Sequence, residues 1–359
     1  VSKLKKVQER MIADGYDALV ICDGADIKYL TGFSGEYGVS TVVISKDKFY
    51  LITDGRFEFQ AKEEVPECEV LIMNGQQRDY YVATGDLLKE LNVKAVLIQT
   101  DKIFHRDYLS VKNSCESAEL RAAPPYIEEL RQVKTSEEIT LIREACRISE
   151  RSFYALLDFI KPGVTEIDIA NELEYQFRSR GGSGFCFETI VASGPINGAN
   201  CHATPSDRKI EAGDFITLDF GTAYKGYCSD MTRTVAVGRP HNEEMLKIYE
   251  TVKVAKKAGA AILQAGLPIA EVDQTIRKII GEAGYTVPHG LGHSFGLYIH
   301  EDPFISAKNP NKFKKNAITT IEPGIYVPGV CGVRIEDDYL IGESSAERLQ
   351  QSTNELIIL

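Results

Sequence analysis

The first apolar positions of the chain, Leu4, Val7, Met11 and Ile12, recur at helical spacing, and Gly15 closes that stretch. The pattern then shortens. Apolar, β-branched runs follow as DALVIC from Asp17, VSTVVIS, FYLIT, EVLIM and KAVLIQ, with a helix expected around Asp86 to Leu91 between the last two. Strand signals interleaved with helix signals predict an α/β domain ending near Pro124-Pro125. The next segment, YIEELRQVKTSEEI, is charged and opens a long helix. We therefore place residues 1–125 in one domain and 126–359 in a second.

The second domain repeats itself. Its first helix carries Ile139, Ile142, Cys146, Ser149, Phe153 and Leu156, and a later one carries Met245, Ile248, Val252, Ala255, Gly259 and Ile262. Both sets step +3, +4, +3, +4, +3, which is one face of an α-helix and reads as core packing. Gly259 is the weakest member, because glycine inside a helix costs about 1 kcal/mol against alanine. Cap-like segments precede both helices, Thr135-Ser136-Glu137-Glu138 and His241-Asn242-Glu243-Glu244. A glycine turn follows each (Pro162-Gly163, Ala265-Gly266), then a second helix from near Ile167 or Val272.

The strands repeat too. KIEAGDFITLDFG from Lys209 aligns without a gap on KFKKNAITTIEPG from Lys312, so that Gly213 matches Asn316, Asp219 matches Glu322 and Gly221 matches Gly324. Glycine and asparagine both tolerate a left-handed turn. A further acid follows each strand, Asp230 after a Tyr/Gly hairpin and Glu336 after VPGVCGVRI. Acids at the ends of apolar strands are buried unless the strand lies at an edge facing water. A buried, unpaired carboxylate costs several kcal/mol or more. Four of them brought together by pseudo-symmetry repel one another, and a pair of divalent cations relieves both costs.

Composition narrows the class. The chain has 359 residues, too many for one ordinary core. Its formal charge of −11, without a basic block, argues against nucleic acid and anionic membranes as partners. No apolar run approaches the roughly 18 residues of a membrane span. The eight cysteines are scattered with no Cys-x-x-Cys pair, which argues against a disulfide framework or a structural zinc site. The first twenty residues hold no apolar signal core, and a cytoplasmic protein is expected.

Three of six histidines fall in VPHGLGHSFGLYIHEDP: His289, His293 and His300. The His289/His293 spacing invites comparison with zinc-binding His-Glu-x-x-His helices. Gly290, Gly292 and Gly296 make a helix improbable, so a glycine-rich strand or loop passing close to a ligand is expected. The Lys-Ser/Thr of a phosphate loop is missing. His202 lies in GANCHATPSD before the first acidic strand and joins the same set, whereas His105 and His241 read as structural or exposed.

The segments LDFG, SDMTRT, HGLGHSFGLYIHE, TIEPGIY and VRIED resemble, in order, the five metal-site segments of the pita-bread metallopeptidases. DGADIKYLTGFSG and TDGRFEFQA resemble the creatinase/prolidase-type N domain, which points to the Xaa-Pro aminopeptidase and Xaa-Pro dipeptidase (prolidase) branch. One departure is local: Ser-Phe-Gly follows His293 where the family usually has Gly-Ile/Val-Gly, which touches only the shape of the substrate pocket.

The resemblance implies a mixed-sheet α/β N domain followed by a pseudo-symmetric α+β pita-bread domain. It implies two divalent cations, Asp219 on one, His293 and Glu322 on the other, and Asp230 and Glu336 bridging. One imidazole among four carboxylates suits Mn²⁺, with Co²⁺ or Zn²⁺ as alternatives. Glu322 would accept the proton of the attacking water. His202 and His300 would steady the substrate carbonyl, and His289 and Arg334 match further substrate-binding positions, Arg334 able to orient Glu336 or a peptide carbonyl. The implied reaction releases an N-terminal residue from a following proline in small peptides, in a homodimer. The same fold admits two other readings. Creatinase-like C–N hydrolysis ranks low because all five ligands are present, and a non-catalytic binding protein would have lost ligands and gained charged tails.

Overall fold

The computed structural model describes residues 1–73 and 79–359. Helix α1 (Lys3–Ala13) buries Leu4, Val7 and Met11 on one face and is capped by Ser2, whose hydroxyl accepts from the Lys5 N–H at 3.3 Å. Gly15, at φ 85°, turns the chain out of it. There follow β1 (Ala18–Ile21), α2 (Gly24–Thr31), β2 (Ser40–Ser45), β3 (Phe49–Asp54), α3 (Glu58–Glu64), β4 (Glu69–Met73), α4 (Tyr80–Glu90), β5 (Ala95–Ile98), α5 (His105–Ser114) and β6 (Glu119–Ala122). One sheet collects the strands in the order β4-β3-β2-β1-β5-β6. The β1–β2 and β2–β3 pairs are antiparallel and the others parallel, so the expected mixed sheet is present.

Helix α4 begins six residues earlier than its periodicity indicated. The Asp79 carboxylate caps it, accepting from the Tyr81 and Val82 N–H groups. Helix α2 escaped the sequence reading because only eight residues separate its two signals, the Asp23 cap and Gly32 at φ 83°. This unit runs from Val1 to Glu129, and the second from Leu130 to Leu359.

The charged segment after Pro125 is two helices rather than one. A short α6 (Tyr126–Arg131) ends before Thr135, where a full capping box with Glu138 starts α7 (Ser136–Leu157). Then come α8 (Glu166–Ser179), β7 (Ile190–Ser193), β8 (Phe215–Phe220), β9 (Ala223–Tyr224), β10 (Tyr227–Cys228), β11 (Met231–Ala236), α9 (Glu243–Ala261) and α10 (Ile269–Glu282). The chain closes with β12 (His293–Ser294), β13 (Glu301–Phe304), β14 (Ile318–Ile321), β15 (Gly324–Val327), β16 (Cys331–Arg334), β17 (Asp337–Ile341), β18 (Ala346–Arg348) and β19 (Ile357–Ile358).

The duplication is visible in the backbone. The Gly163 N–H donates to the Ile210 carbonyl and the Gly266 N–H to the Phe313 carbonyl, both at 2.8 Å and with the same displacement along the chain. Thr165 bridges Lys209 as Pro268 bridges Lys312. Gly213 and Asn316 both adopt positive φ, at 96° and 62°. Each half closes its own core: Phe153, Leu173, Phe177 and Phe220 in one, Ile248, Val252, Ile276 and Ile321 in the other. The stripe on α9 is buried from Met245 to Gly259, and Ile262 lies just past its end. Gly259 has a packing reason. A Cβ there would lie 2.5 Å from Ile276 Cδ1, so glycine lets α9 and α10 approach.

Candidate metal centre

Asp219 sits in β8, opposite Thr232 of β11 and Ile190 of β7. Every residue of β8 and β11 is buried, which puts the acid inside, as its apolar neighbours require. After Gly221 the chain reverses through β9 and β10. Their two-residue turn, Lys225 and Gly226, has positive φ at both positions (50° and 90°), the geometry that matches strand twist in a tight hairpin. The return delivers Asp230. Its backbone is clamped: its N–H donates to Asp338 Oδ2 at 3.0 Å and its carbonyl accepts from Gln350 Nε2 at 2.9 Å.

Glu336 is fixed from the neighbouring strand. Its N–H donates to the Thr232 carbonyl at 3.1 Å, and its Oε2 accepts from Thr232 Oγ1 at 2.7 Å. His293 lies in an extended glycine-rich segment, as expected. Gly292 has φ 153°, and a Cβ there would lie 2.2 Å from the Thr320 carbonyl oxygen, so that strand can pass only with glycine in this place. The His293 N–H donates to Thr320 Oγ1 at 3.1 Å, and Nδ1 lies 3.1 Å from the Ser294 carbonyl. A carbonyl only accepts, so Nδ1 carries the proton and Nε2 presents its lone pair. That nitrogen stands 3.6 Å from both Asp230 Oδ2 and Glu322 Oε1. Glu322, just beyond β14, is set by its own N–H on the Leu291 carbonyl at 3.1 Å.

Asp230, His293 and Glu336 each bring a ligand atom within 4.8 Å of the others. Asp219 is tied to the group through Arg334, whose Nε donates to the same Thr232 hydroxyl that binds Glu336. The buried guanidinium pairs with Asp219 Oδ2 through Nη2, and through Nη1 it reaches the Cys201 carbonyl at 2.9 Å and the Tyr326 hydroxyl at 2.5 Å. Arg334 thus falls on Asp219 rather than on its near neighbour Glu336, whose Oε2 is already taken by Thr232. The alternative of edge-strand acids facing water fails for Asp219, Asp230 and Glu336, all buried.

Electrostatics mark the cluster as short of positive charge. One oxygen on each of Asp219, Asp230 and Glu336 is buried without a hydrogen-bond partner. Burial, then the neighbouring carboxylates, hold the Asp230 and Glu336 carboxyls well above the ordinary range. Burial pushes Glu322 up to about 8, with Arg334 opposing and Asp219 adding to the rise. Burial, and then His300, bring His293 down to about 4, so its imidazole is neutral and able to ligate at neutral pH. Orphaned buried oxygens beside a neutral imidazole fit divalent cations, which supply the missing counter-charge.

His300, His202 and His289 border this cluster. The His300 ring meets the His293 ring edge-on, with centroids 4.6 Å apart, and is exposed. His202 is exposed as well, and the His300 imidazole is held below its usual range by burial first, with Asp219 opposing and His202 adding to the fall. His289 places Nδ1 2.6 Å from the Gly290 carbonyl and Nε2 3.0 Å from the Tyr326 hydroxyl, so a chain of hydrogen bonds runs from Arg334 through Tyr326 to His289. Sequence reasoning passed over Tyr326, Thr232, Asp338 and Gln350. Asp338 had a signal, the acid run in VRIEDD, but nothing local marks Gln350, which arrives from the C-terminal stretch.

Residues 140–343 match the metallopeptidase family M24, and residues 3–133 match the creatinase/prolidase N-terminal domain. An uncharacterized peptidase of Bacillus subtilis, YqhT, is 38% identical over 359 residues, 99% of this chain and all of that one. Among solved structures, an Xaa-Pro dipeptidase from Bacillus anthracis superposes with a TM-score of 0.94 at 36% identity, covering 99% of both chains. An X-Pro aminopeptidase from Thermotoga maritima gives 0.91 at 32% identity, covering 100% of both.

Proposed function

The chain belongs to metallopeptidase family M24 and carries a creatinase/prolidase N-terminal domain, and from that premise we propose that it hydrolyses the bond between an N-terminal residue and a following proline in small peptides. The observation that carries this reading is the buried set Asp230, His293 and Glu336, with an oxygen of each acid left unpartnered. We assign Asp219 to one divalent cation, His293 and Glu322 to a second, and Asp230 and Glu336 to both. Four carboxylates and one imidazole suit Mn²⁺, with Co²⁺ and Zn²⁺ as alternatives. When bound, such cations supply Lewis acidity, polarising the scissile carbonyl and making water nucleophilic near neutral pH.

The protein's own groups do the rest. Glu322 takes the proton of the attacking water, because its side chain is 18% exposed where that of Asp230 is 6% exposed. His300, open to solvent beside His293, and His202, open to solvent near His300, steady the carbonyl oxygen as negative charge develops on it. Arg334 holds Asp219 in place by charge-assisted hydrogen bonding, and His289, fixed by Tyr326, borders the substrate. A proline in the second position has no N–H and a fixed φ, so this chemistry must not depend on that donor. The Bacillus anthracis relative is named a dipeptidase and the Thermotoga maritima one an aminopeptidase, and the reading extends to both peptide lengths. It includes a homodimer and a cytoplasmic setting, to which eight free cysteines are suited. Among the described residues no helix is long and apolar enough to cross a membrane.

The test is turnover of Ala-Pro, Ala-Pro-Ala and Ala-Ala with added Mn²⁺ and then with chelator. Metal-dependent cleavage of the two proline substrates alone is expected, and the ratio between them names the subtype. Two bound metals without cleavage of either would overturn the reading.

A further inference from the structure

Away from the acidic cluster, the second unit carries a half-open cavity of about 570 Å³, a volume in the range of small-molecule sites. One wall is a face of α9, where Glu250, Lys253 and Lys257 recur at helical spacing. The other is Tyr339 of β17, Arg348 of β18 and the Asn354-Glu355 stretch that precedes β19.

Beneath it lies a charge cluster with too few anions. Asp337, fully buried, is paired with Arg233 at 2.6 Å, with Arg348 at 2.8 Å and with Lys256. Lys256 is only 2% exposed and lines the cavity. Burial pulls its ammonium down to about 8, Asp337 resists, and the two guanidiniums add to the fall. Arg233 and Lys256 are buried and Arg348 is 32% exposed, so three cations share one buried carboxylate, and excess charge held out of water is costly. The rim does not correct the balance. Lys253 takes both Glu250 and Glu355, at 2.7 and 2.8 Å, and the exposed Lys257 has no acceptor among the described residues. Floor and rim together set five cationic side chains against three carboxylates, in a chain whose net charge is −11.

Donors also remain unspent. The Tyr339 hydroxyl accepts from Lys256 at 3.1 Å, and among the described residues nothing accepts its own proton. Arg348 sets Nε 2.8 Å from Asp337 as an ion pair without a hydrogen bond and donates Nη2 to the Ser352 carbonyl, which leaves Nη1 free on the same terms.

We infer that this cavity binds a small doubly charged oxyanion, either inorganic phosphate or the phosphate group of a small metabolite, between Arg348, Lys257 and the Tyr339 hydroxyl. Such an anion brings the missing counter-charge, and its acceptor oxygens match a guanidinium, an ammonium and a hydroxyl. The cavity is larger than a lone phosphate needs, so both sources fit. The inference is independent of peptide cleavage, because none of these three side chains belongs to the acidic cluster.

Isothermal titration of the metal-loaded full-length protein tests it, with inorganic phosphate and glycerol phosphate at constant ionic strength and chloride as the control anion. Saturable one-to-one binding of at least one of the two is expected, and the tighter of them identifies the source. Lys257→Glu, a change at an exposed position, should weaken that binding by about tenfold while leaving Ala-Pro turnover in phosphate-free buffer unchanged. Arg348→Met should weaken it likewise. Phosphate seated on the metal ions would ignore both substitutions. Wild-type binding in Lys257→Glu, or no saturable binding at all, overturns the inference.

Discussion

At the scale of single residues, the acidic cluster separates groups that hold cations from groups that meet substrate. Asp230 presents one oxygen to His293 at 3.6 Å and keeps the other unpartnered, while its backbone is held by Asp338 and Gln350. Asp230→Ala should therefore keep the fold and lose bound metal and turnover together, measured by metal analysis and Ala-Pro hydrolysis; normal turnover would refute the ligand assignment. Among the described residues His300 meets the cluster through ring contact and is exposed, so His300→Ala should retain metal while kcat falls by about 10² to 10³. Complete metal loss in that variant would break the separation. The pH dependence follows from Glu322, whose folded-state carboxyl is raised from 4.5 to about 8 by burial, with Asp219 adding to the rise and Arg334 opposing it. Between those values the folded chain holds a proton that the unfolded chain has released, so stability falls as pH rises. Chelator-treated protein should lose melting temperature from pH 5 to 8. The metal-loaded protein should resist that loss, because cations replace the proton. A flat profile after chelation would mean the carboxyls are not forced together.

At the scale of elements, two glycines on packed helices should respond in opposite directions. Alanine is favoured over glycine inside a helix by about 1 kcal/mol. At Gly281 of α10 a Cβ meets nothing within 4 Å, so Gly281→Ala should stabilise by about 0.5–1 kcal/mol in denaturant titration. At Gly259 of α9 the Cβ would lie 2.5 Å from Ile276 Cδ1 and 2.7 Å from its Cγ1. Overpacking of that kind costs about 1–3 kcal/mol, so Gly259→Ala should destabilise despite its better helix propensity. The same pair shows what a sequence can disclose. The helical stripe placed Gly259 on the buried face, because periodicity reports which side of a helix is covered. It could not say what covered it, since Ile276 comes from another helix. Turn chemistry was legible for a similar reason. Gly213 and Asn316 were paired by alignment alone, and both adopt positive φ because few other residues do so cheaply. The short helices α2 and α5 were not legible, because eight or ten residues with mixed polarity leave no period to count.

At the scale of the whole molecule, the acids and histidines were legible because chemistry requires rare residue types in apolar surroundings, whereas their partners were not. Thr232, Tyr326 and Gln350 are ordinary in local sequence, and only the tertiary fold aims them at Glu336, Arg334 and Asp230. Among the described residues, the buried acids that keep an unpartnered oxygen all fall in one of the two units. They lie on β8, between β10 and β11, before β17 and on β17 itself, all within residues 130–359, and Glu322, its carboxyl raised by burial, follows β14. The first unit has its own core around Val20, Val43, Val96 and Ile98. Ligand that binds only the folded state stabilises it by mass action, and local opening is suppressed where the ligand is held. Hydrogen exchange read by mass spectrometry should therefore slow on Mn²⁺ addition in peptides spanning β8, β11 and β14. Peptides spanning β1, β2 and β5 should exchange at their chelated rate. Equal protection of both sets would show that the two units open as one cooperative body, and the metal would then stabilise the entire chain.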